Sequence, residues 1–326
     1  YCLKRVVGLP HERVQIVAGD VWINGQCVKK DWSTLRPMAI LIHDASFDAP
    51  RRDIPSRWTP VTQVNRWKKR ERGFRFSRNP ATDVSEGTGW IGYQHFDFVR
   101  GVPRERERIT DNYAYNQTLS RSLSSMSDLI LSARVRSQGG GTLKFRLGTC
   151  ELQLDASSQR GLLLHENRPV AQCVWDGKRI SRDTRLEIAV VDRQFFFVIE
   201  DEVLLRYDLD KSNLDKSDLD ESLGSADHQE GANPAGDAMS LDPRWYLAIG
   251  AKNLDLDVTE VQILRDVYYT DQIVGVARTR RGECQLGEGQ FFVLGDNSPL
   301  SLDSRREGAG SLMERADIRG RAVWWQ

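Results

Sequence analysis

Two short stretches carry the side chains of this sequence best suited to chemistry. The first, Leu3-Lys4-Arg5-Val6-Val7-Gly8-Leu9-Pro10, sets one lysine among apolar residues near the start. The second, Phe292-Val293-Leu294-Gly295-Asp296-Asn297, runs into Ser301-Leu302-Asp303-Ser304-Arg305 near the end. A serine hydroxyl is a weak nucleophile until a base takes its proton. A lysine amine can be that base only when neutral near pH 7, against a reference pKa of about 10.4. Burial among apolar groups moves an amine in that direction. Leu3, Val6 and Val7 flank Lys4 as such a pocket requires, and Leu9-Pro10 ends the strand. Each piece alone has a plainer reading. Lys4 reads as a surface lysine on an edge strand, Gly295-Asp296-Asn297 as an ordinary turn, and Asp303 with Arg305 as a surface ion pair worth little.

Taken together and in this order, the two stretches resemble the lysine-bearing box and the Gly-Asp-Asn box of bacterial type I signal peptidases. These are membrane-anchored serine proteases with a lysine as general base. The closing stretch Ala316-Asp317-Ile318-Arg319-Gly320-Arg321-Ala322-Val323-Trp324-Trp325 resembles the family's end, where a loop leads to a final strand. The resemblance implies that Lys4 is the base and that the Ser301 hydroxyl holds its amine in place. It makes Asp303 and Arg305 the salt-bridged pair bracing the loop, Asp296 the acid of the turn, and Arg5 a supporting cation. It also implies exported preproteins as substrates, bound extended with small residues before the cut, and no cofactor. The catalytic domain is expected on the outer side of the bacterial cytoplasmic membrane. The family's nucleophilic serine precedes the lysine box, so that serine and the membrane anchor are expected upstream of Tyr1. On that expectation the chain as written is inactive and its parent is a serine endopeptidase. Two positions depart from the family pattern: His11 stands where a glycine is usual, and Ser298-Pro299-Leu300 replaces an arginine-containing tripeptide.

The whole composition constrains the partners. The chain has 326 residues, with 46 basic and 46 acidic side chains, so no net field draws it to nucleic acid or anionic lipid. The basic runs Arg66–Arg72 and Arg104–Arg108 are interleaved with acids, which suits a solvated face better than a nucleic-acid groove. No window reaches the roughly 18–20 apolar residues of a membrane span. Five cysteines lack CxxC spacing, which argues against a zinc or thioredoxin-type site. Cys150 and Cys173, in neighbouring strand-like segments, are open to two readings: a disulfide, or two small buried hydrophobes. His43, His95 and His165 show no metal-ligand spacing.

Strand signals position these residues. Arg13–Val17 alternates, and Asp20–Val28 reads as a hairpin about an Asn-Gly turn. Trp90–Val99 reads as one strand. From Asp128 to Tyr207 a regular meander appears, with strands expected at 129–135, 142–147, 150–154, 161–164, 171–175, 186–191, 195–200 and 203–207. Even spacing of this kind indicates a β-sandwich or jelly roll. Residues 208–242 form a degenerate acidic repeat that cannot bury enough apolar surface to order itself. Val258–Leu264 and Gln290–Gly295 resume the strands. The fold class is therefore all-β: a small peptidase-type core, 1–33 and 272–326, interrupted by a sandwich insert, 34–271.

The insert resembles concanavalin-like, laminin-G-type sandwiches through the meander and the closing run Asn253–Tyr269. That likeness supports an alternative function, a non-catalytic envelope module whose insert recognises a glycan or a protein. Trp90, Trp175 and Trp245 are the side chains that could stack on sugars, or they are core.

Overall fold

The structure is a computed structural model that describes residues 2–47, 55–64, 66–79, 87–99, 102–106, 108–116, 119–176, 180–210, 245–270, 273–276, 279–280, 282–308 and 310–322. It is all-β, as expected, with a single seven-residue α-helix among the described residues. The chain forms two compact units. One comprises Tyr1–Ile40, Thr110–Met126 and Asp266–Gln326, and the other Leu41–Ile109 and Ser127–Arg265. The divisions read from sequence at 33/34 and 271/272 therefore fall at 40/41 and 265/266. Thr110–Met126, which the sequence placed inside the insert, groups with the chain ends. Nothing in its composition marks it as foreign to the sandwich, because its partners lie far away in sequence.

In the smaller unit, Gln290–Leu294 is the middle strand of a three-stranded antiparallel sheet, between Arg5–Gly8 and Met313–Glu314. Arg5 pairs with Leu294 and Val6 with Val293, so the start of the chain meets its end strand to strand. A second sheet orders Cys284–Gln285, Arg13–Val17, Asp20–Ile23 and Gln26–Cys27. Asn24 and Gly25 make its tight turn with φ of 51° and 80°, the left-handed pair that an Asn-Gly hairpin supplies. The apolar centre is Val14, Val267, Tyr269, Cys284, Leu286, Phe292 and Leu294. Gly8 is a glycine because of close approach: a Cβ there would lie 2.4 Å from Val14 Cγ2. The helix Trp32–Met38 was not anticipated. Asp31 caps it, its Oδ1 accepting from Thr34 N at 2.8 Å, and Trp32 and Leu35, one turn apart, bury its inner side. Pro37 lacks an N–H and the helix ends one residue later.

The larger unit is a sandwich of two antiparallel sheets. One runs Glu202–Asp208, Gln194–Ile199, Thr184–Val191, Leu129–Gln138, Asp255–Arg265, Gly73–Phe76, Trp67–Arg70, with Ile40–Asp44 also on Asp255–Arg265. The other runs Arg168–Val174, Arg160–His165, Cys150–Asp155, Thr142–Leu147, Leu247–Lys252, Gly89–Tyr93, Trp58–Pro60. Alternation fixes which face is inward. In Cys150–Asp155, residues 150, 152 and 154 are buried while Glu151, Gln153 and Asp155 are half-exposed. Gln194–Ile199 is buried at every position, which is why it reads as a continuous apolar run.

One detail differs from the sequence reading, one choice left open there is decided, and two segments lie outside the described residues. Trp90–Val99 is two strands, Gly89–Tyr93 and His95–Val99, broken at Gln94, whose N–H bonds Arg57 O instead of a ladder partner. Cys150 and Cys173 are free thiols, because a whole strand separates them: Cys150 lies opposite His165 and Cys173 opposite Gly161. Burial pushes the Cys150 thiol up to about 12. The acidic repeat falls beyond the described residues from 211 to 244, as does the family-like closing strand from 323 onward.

Candidate active site around Lys4 and Ser301

All six residues singled out in the sequence lie in the smaller unit, and the fold sorts them into three pairs. Lys4 immediately precedes the strand Arg5–Gly8. Ser301 follows a turn in which Asn297 O accepts from Leu300 N at 3.1 Å and from Ser301 N at 2.9 Å. Antiparallel pairing of Arg5 with Leu294 carries these two backbones together. Lys4 Nζ lies 2.5 Å from Ser301 Oγ, in a half-buried hydrogen bond. Gly295 makes that contact fit. A Cβ at 295 would sit 2.0 Å from Ser301 Oγ and 3.0 Å from Lys4 Nζ, so any side chain there would displace both groups.

The second pair is Asp303 with Arg305. The sequence left open a surface ion pair, but both side chains are buried, at 0% and 2% exposure. Arg305 Nε and Nη2 donate to the two Asp303 oxygens at 2.9 and 2.7 Å, a bidentate fork. The remaining capacity is used in full around it. Asp303 Oδ2 accepts from Gly295 N at 3.1 Å, and Arg305 Nη1 donates to Thr270 O at 2.6 Å. Ser298 Oγ accepts from Arg305 Nη1 at 2.7 Å and from Thr270 N at 2.8 Å. Ser304 Oγ accepts from Val293 N at 2.9 Å, tying the loop back to the central strand. The departure at Ser298-Pro299-Leu300 thus has a use: a small hydroxyl at 298 seats the buried guanidinium.

Arg5 and Asp296 make the third pair, with Nη2–Oδ2 at 2.9 Å and Nε–Oδ1 at 3.2 Å, in an exposed setting. Burial works against the Arg5 charge, yet the bond and attraction to Asp296 outweigh it and the guanidinium's pKa is raised. Tyr269 belongs to the same apolar centre. Burial pushes its phenol above the ordinary tyrosine value, and the Asp296 charge adds to that shift.

Several residues of the site were not found from sequence. Tyr113 Oη donates to Asp296 O at 2.8 Å, and Asn116 Nδ2 donates to Asn297 Oδ1 at 2.7 Å, so Thr110–Met126 braces the turn from outside. No local signal announces this, since the partners are about 180 residues apart. The expected apolar flank of Lys4 is also only partly formed. Val7 is half-buried, but Leu3 and Val6 are 70% and 45% exposed. Val7 packs against the apolar centre, so its neighbour Val6 alternates to the opposite face of the strand.

The arrangement gives an amine hydrogen-bonded to a hydroxyl, next to a loop made rigid by a buried fork. The model of the family described as "Signal peptidase, peptidase S26" matches residues 248–325, about a quarter of the chain. That match begins in the last two long strands of the sandwich and includes Ser301, Asp303 and Arg305. The segment holding Lys4 lies outside it. No curated protein matches the chain. Among solved structures, the chain is similar to the carbohydrate-binding module CBM66 from Bacillus subtilis, at 10% identity over 63% of this chain and 94% of that one, TM-score 0.35. It is also similar to a non-specific endo-β-1,3(4)-glucanase of family GH16, at 10% identity over 71% and 93%, TM-score 0.32. Sheep galectin-11 in complex with glycerol matches at 9% identity over 44% and 94%, TM-score 0.24. The peptidase-like region of this chain therefore lies toward its C-terminus, where the family match and the Ser301–Arg305 loop coincide.

Proposed function

We propose that the smaller unit is part of a serine endopeptidase of the signal peptidase type, in which Lys4 is the general base. The observation that carries this reading is the Lys4–Ser301 hydrogen bond, formed between residues 297 positions apart. A chance surface lysine has no reason to meet the serine of the second box, and the glycine at 295 is sterically suited to let it. In this mechanism Lys4 takes the proton of a nucleophilic serine as its oxygen attacks the scissile carbonyl. The protonated amine then gives that proton to the leaving amine. An acyl-enzyme remains, and water, deprotonated by Lys4, releases it. Ser301 positions the amine, and Arg5, Asp296, Asp303 and Arg305 hold the backbone that carries the pair. By the resemblance, the nucleophile and an anchor precede this chain's residues, the substrates are exported preproteins, and the unit works on the outer face of the bacterial cytoplasmic membrane. The protein produced from its full reading frame, assayed for preprotein cleavage, tests this. Lys4→Met should lower turnover by about 10²–10⁴-fold. Turnover within a few-fold of the parent would remove Lys4 from the role.

A second reading gives the sandwich a binding role of its own, toward a glycan. It is favoured by the outer face of the sheet containing Cys150–Asp155, where Glu151, Gln153 and Asp155 stand in a row on the side opposite the buried Cys150, Leu152 and Leu154. Polar side chains in register on a half-exposed sheet suit a hydroxylated ligand better than an apolar peptide.

A further inference from the structure

We propose that this outer face holds a site for one uncharged, terminal sugar ring, centred between the strands Cys150–Asp155 and Arg160–His165; the proposal rests on the glycan reading just given. Strand register builds it in two rows. Thr142, Asp155 and Arg160 lie side by side in one, and Gln153, Leu162 and Gln172 in the next. Neighbouring strands stand about 4.8 Å apart, so the rows span roughly 14 Å from Thr142 to Gln172, and a ring seated over the middle two strands is reached by the longer side chains from either side. Together the six line a cavity of about 250 Å³. That is just below the roughly 300–1,000 Å³ of sites for drug-sized ligands, which fits one ring with its substituents.

The donor set matches a polyol. Arg160 supplies a fork of donors, Asp155 and Thr142 supply acceptors, and the two glutamine amides supply both. Leu162 is the one apolar side chain among them and gives a floor for the C–H face of a ring. Two of these groups are already oriented. Asp155 Oδ1 accepts from Ser157 N and Ser158 N at 2.8 and 2.7 Å, which fixes the carboxylate on its turn. Gln153 Nε2 donates to Glu151 Oε1 at 2.9 Å. Because a carboxylate only accepts, the amide nitrogen must face Glu151, and its oxygen is turned the other way. Glu151 is held in turn by Arg146 at 3.0 Å, and Arg146 lies over the Trp90 ring. A prepared amide of this kind loses little freedom on binding.

The charge balance selects a neutral ligand. Among the six lining side chains one guanidinium faces one carboxylate, so an acidic sugar gains at Arg160 what it loses at Asp155; Lys144, beside Gln153 in the second row, is buried and does not line the cavity. The tryptophans do not compete as a stacking platform. Trp90 and Trp175 are 6% and 2% exposed, and Trp245 lies against Gly92, where a Cβ would come within 2.5 Å of its ring.

The test is an array of neutral and acidic oligosaccharides probed with the intact chain, followed by calorimetric titration of the strongest neutral hit. Arg160→Ala and Gln172→Ala are the variants, chosen because Asp155 also secures a turn. Each should weaken binding at least tenfold with an unchanged melting temperature. Binding that both variants leave intact would move the sugar off this face while keeping the glycan reading. Binding of acidic termini alone would overturn the neutral site, and binding of none would overturn both proposals.

Discussion

In the sandwich, beside shorter strands of three to five residues, the longer strands of six to eleven bury complete apolar rows: Leu143, Phe145, Leu147, Leu152, Leu154 and Leu163 are all at or below 2% exposure. In the smaller unit the strands have two to five residues and the apolar centre has seven fully buried members. Its site loop is held instead by directional bonds, with Arg305 alone reaching Asp303, Thr270 and Ser298. The difference follows from what each kind of interaction can fix. Apolar burial scales with area and says little about where one atom sits. Holding an amine against a hydroxyl at hydrogen-bond distance needs bonds with angles, and a desolvated fork supplies them. The sandwich is stabilised by area, and the site unit is positioned by geometry.

If that contrast is right, the largest effects separate cleanly by chemistry. Arg305→Ala leaves Asp303 buried without its partner and should cost about 3–5 kcal/mol. Hydrogen exchange of the Val293 and Gly295 amides, bonded to Ser304 Oγ and Asp303 Oδ2, reads it directly. Arg134→Ala in the sandwich also removes ion pairs, to Glu260, Asp183 and Glu200, but these partners are about half exposed. It should cost below about 1 kcal/mol, as seen by urea denaturation. Equal losses for the two arginines would erase the distinction. The matching apolar change is Phe197→Ala, at 0% exposure, with an expected loss of about 3–5 kcal/mol in the sandwich. Next in size is Gly295→Ala. Its Cβ would collide with Ser301 Oγ, so a loss of about 1–3 kcal/mol is expected. A crystal structure of the variant should show Lys4 Nζ and Ser301 Oγ parted beyond hydrogen-bond distance. A preserved contact would mean that the loop, despite its fork, yields.

The sandwich was the more legible unit. Its strands announce themselves by alternation, as in Cys150–Asp155, and the eight strands read between Asp128 and Tyr207 are present within one to three residues at each end. The candidate site was legible only where residue order is specific, in the lysine stretch and in the Gly295-to-Arg305 stretch, which the fold brings together. What sequence did not show is what depends on contact at a distance. The brace from Tyr113 and Asn116 has no local signature, and neither does the place of Ser298 beneath Arg305. Burial itself is hard to read from composition in either direction. Leu3 and Val6 look like a pocket and are exposed, while Asp303 and Arg305, which taken alone read as a surface ion pair, are buried. Hydrophobic pattern reports an average face, and it fails where a polar group is buried because all its bonds are satisfied.

The smallest effect concerns backbone alone and isolates it from both kinds of stabilisation. His11 adopts φ of 71°, in the left-handed region where L-residues are disfavoured by about 1–2 kcal/mol. Two bonds keep it there: His11 N donates to Leu286 O at 3.1 Å, and His11 O accepts from Gln285 Nε2 at 3.0 Å. Its side chain is exposed, so replacing it removes no buried contact. Histidine tolerates this region better than most residues, and glycine gains entropy in the unfolded chain that offsets part of the relief. His11→Gly should therefore stabilise the smaller unit by only about 0.5 kcal/mol, a rise of roughly 2–4 °C in its transition. His11→Ala serves as the control, since it removes the imidazole and keeps the strain. If alanine lowers the transition and glycine raises it, the turn is governed by backbone conformation. If both lower it, the imidazole holds the turn through its own contacts, and a third device must be added beside area and directional bonds.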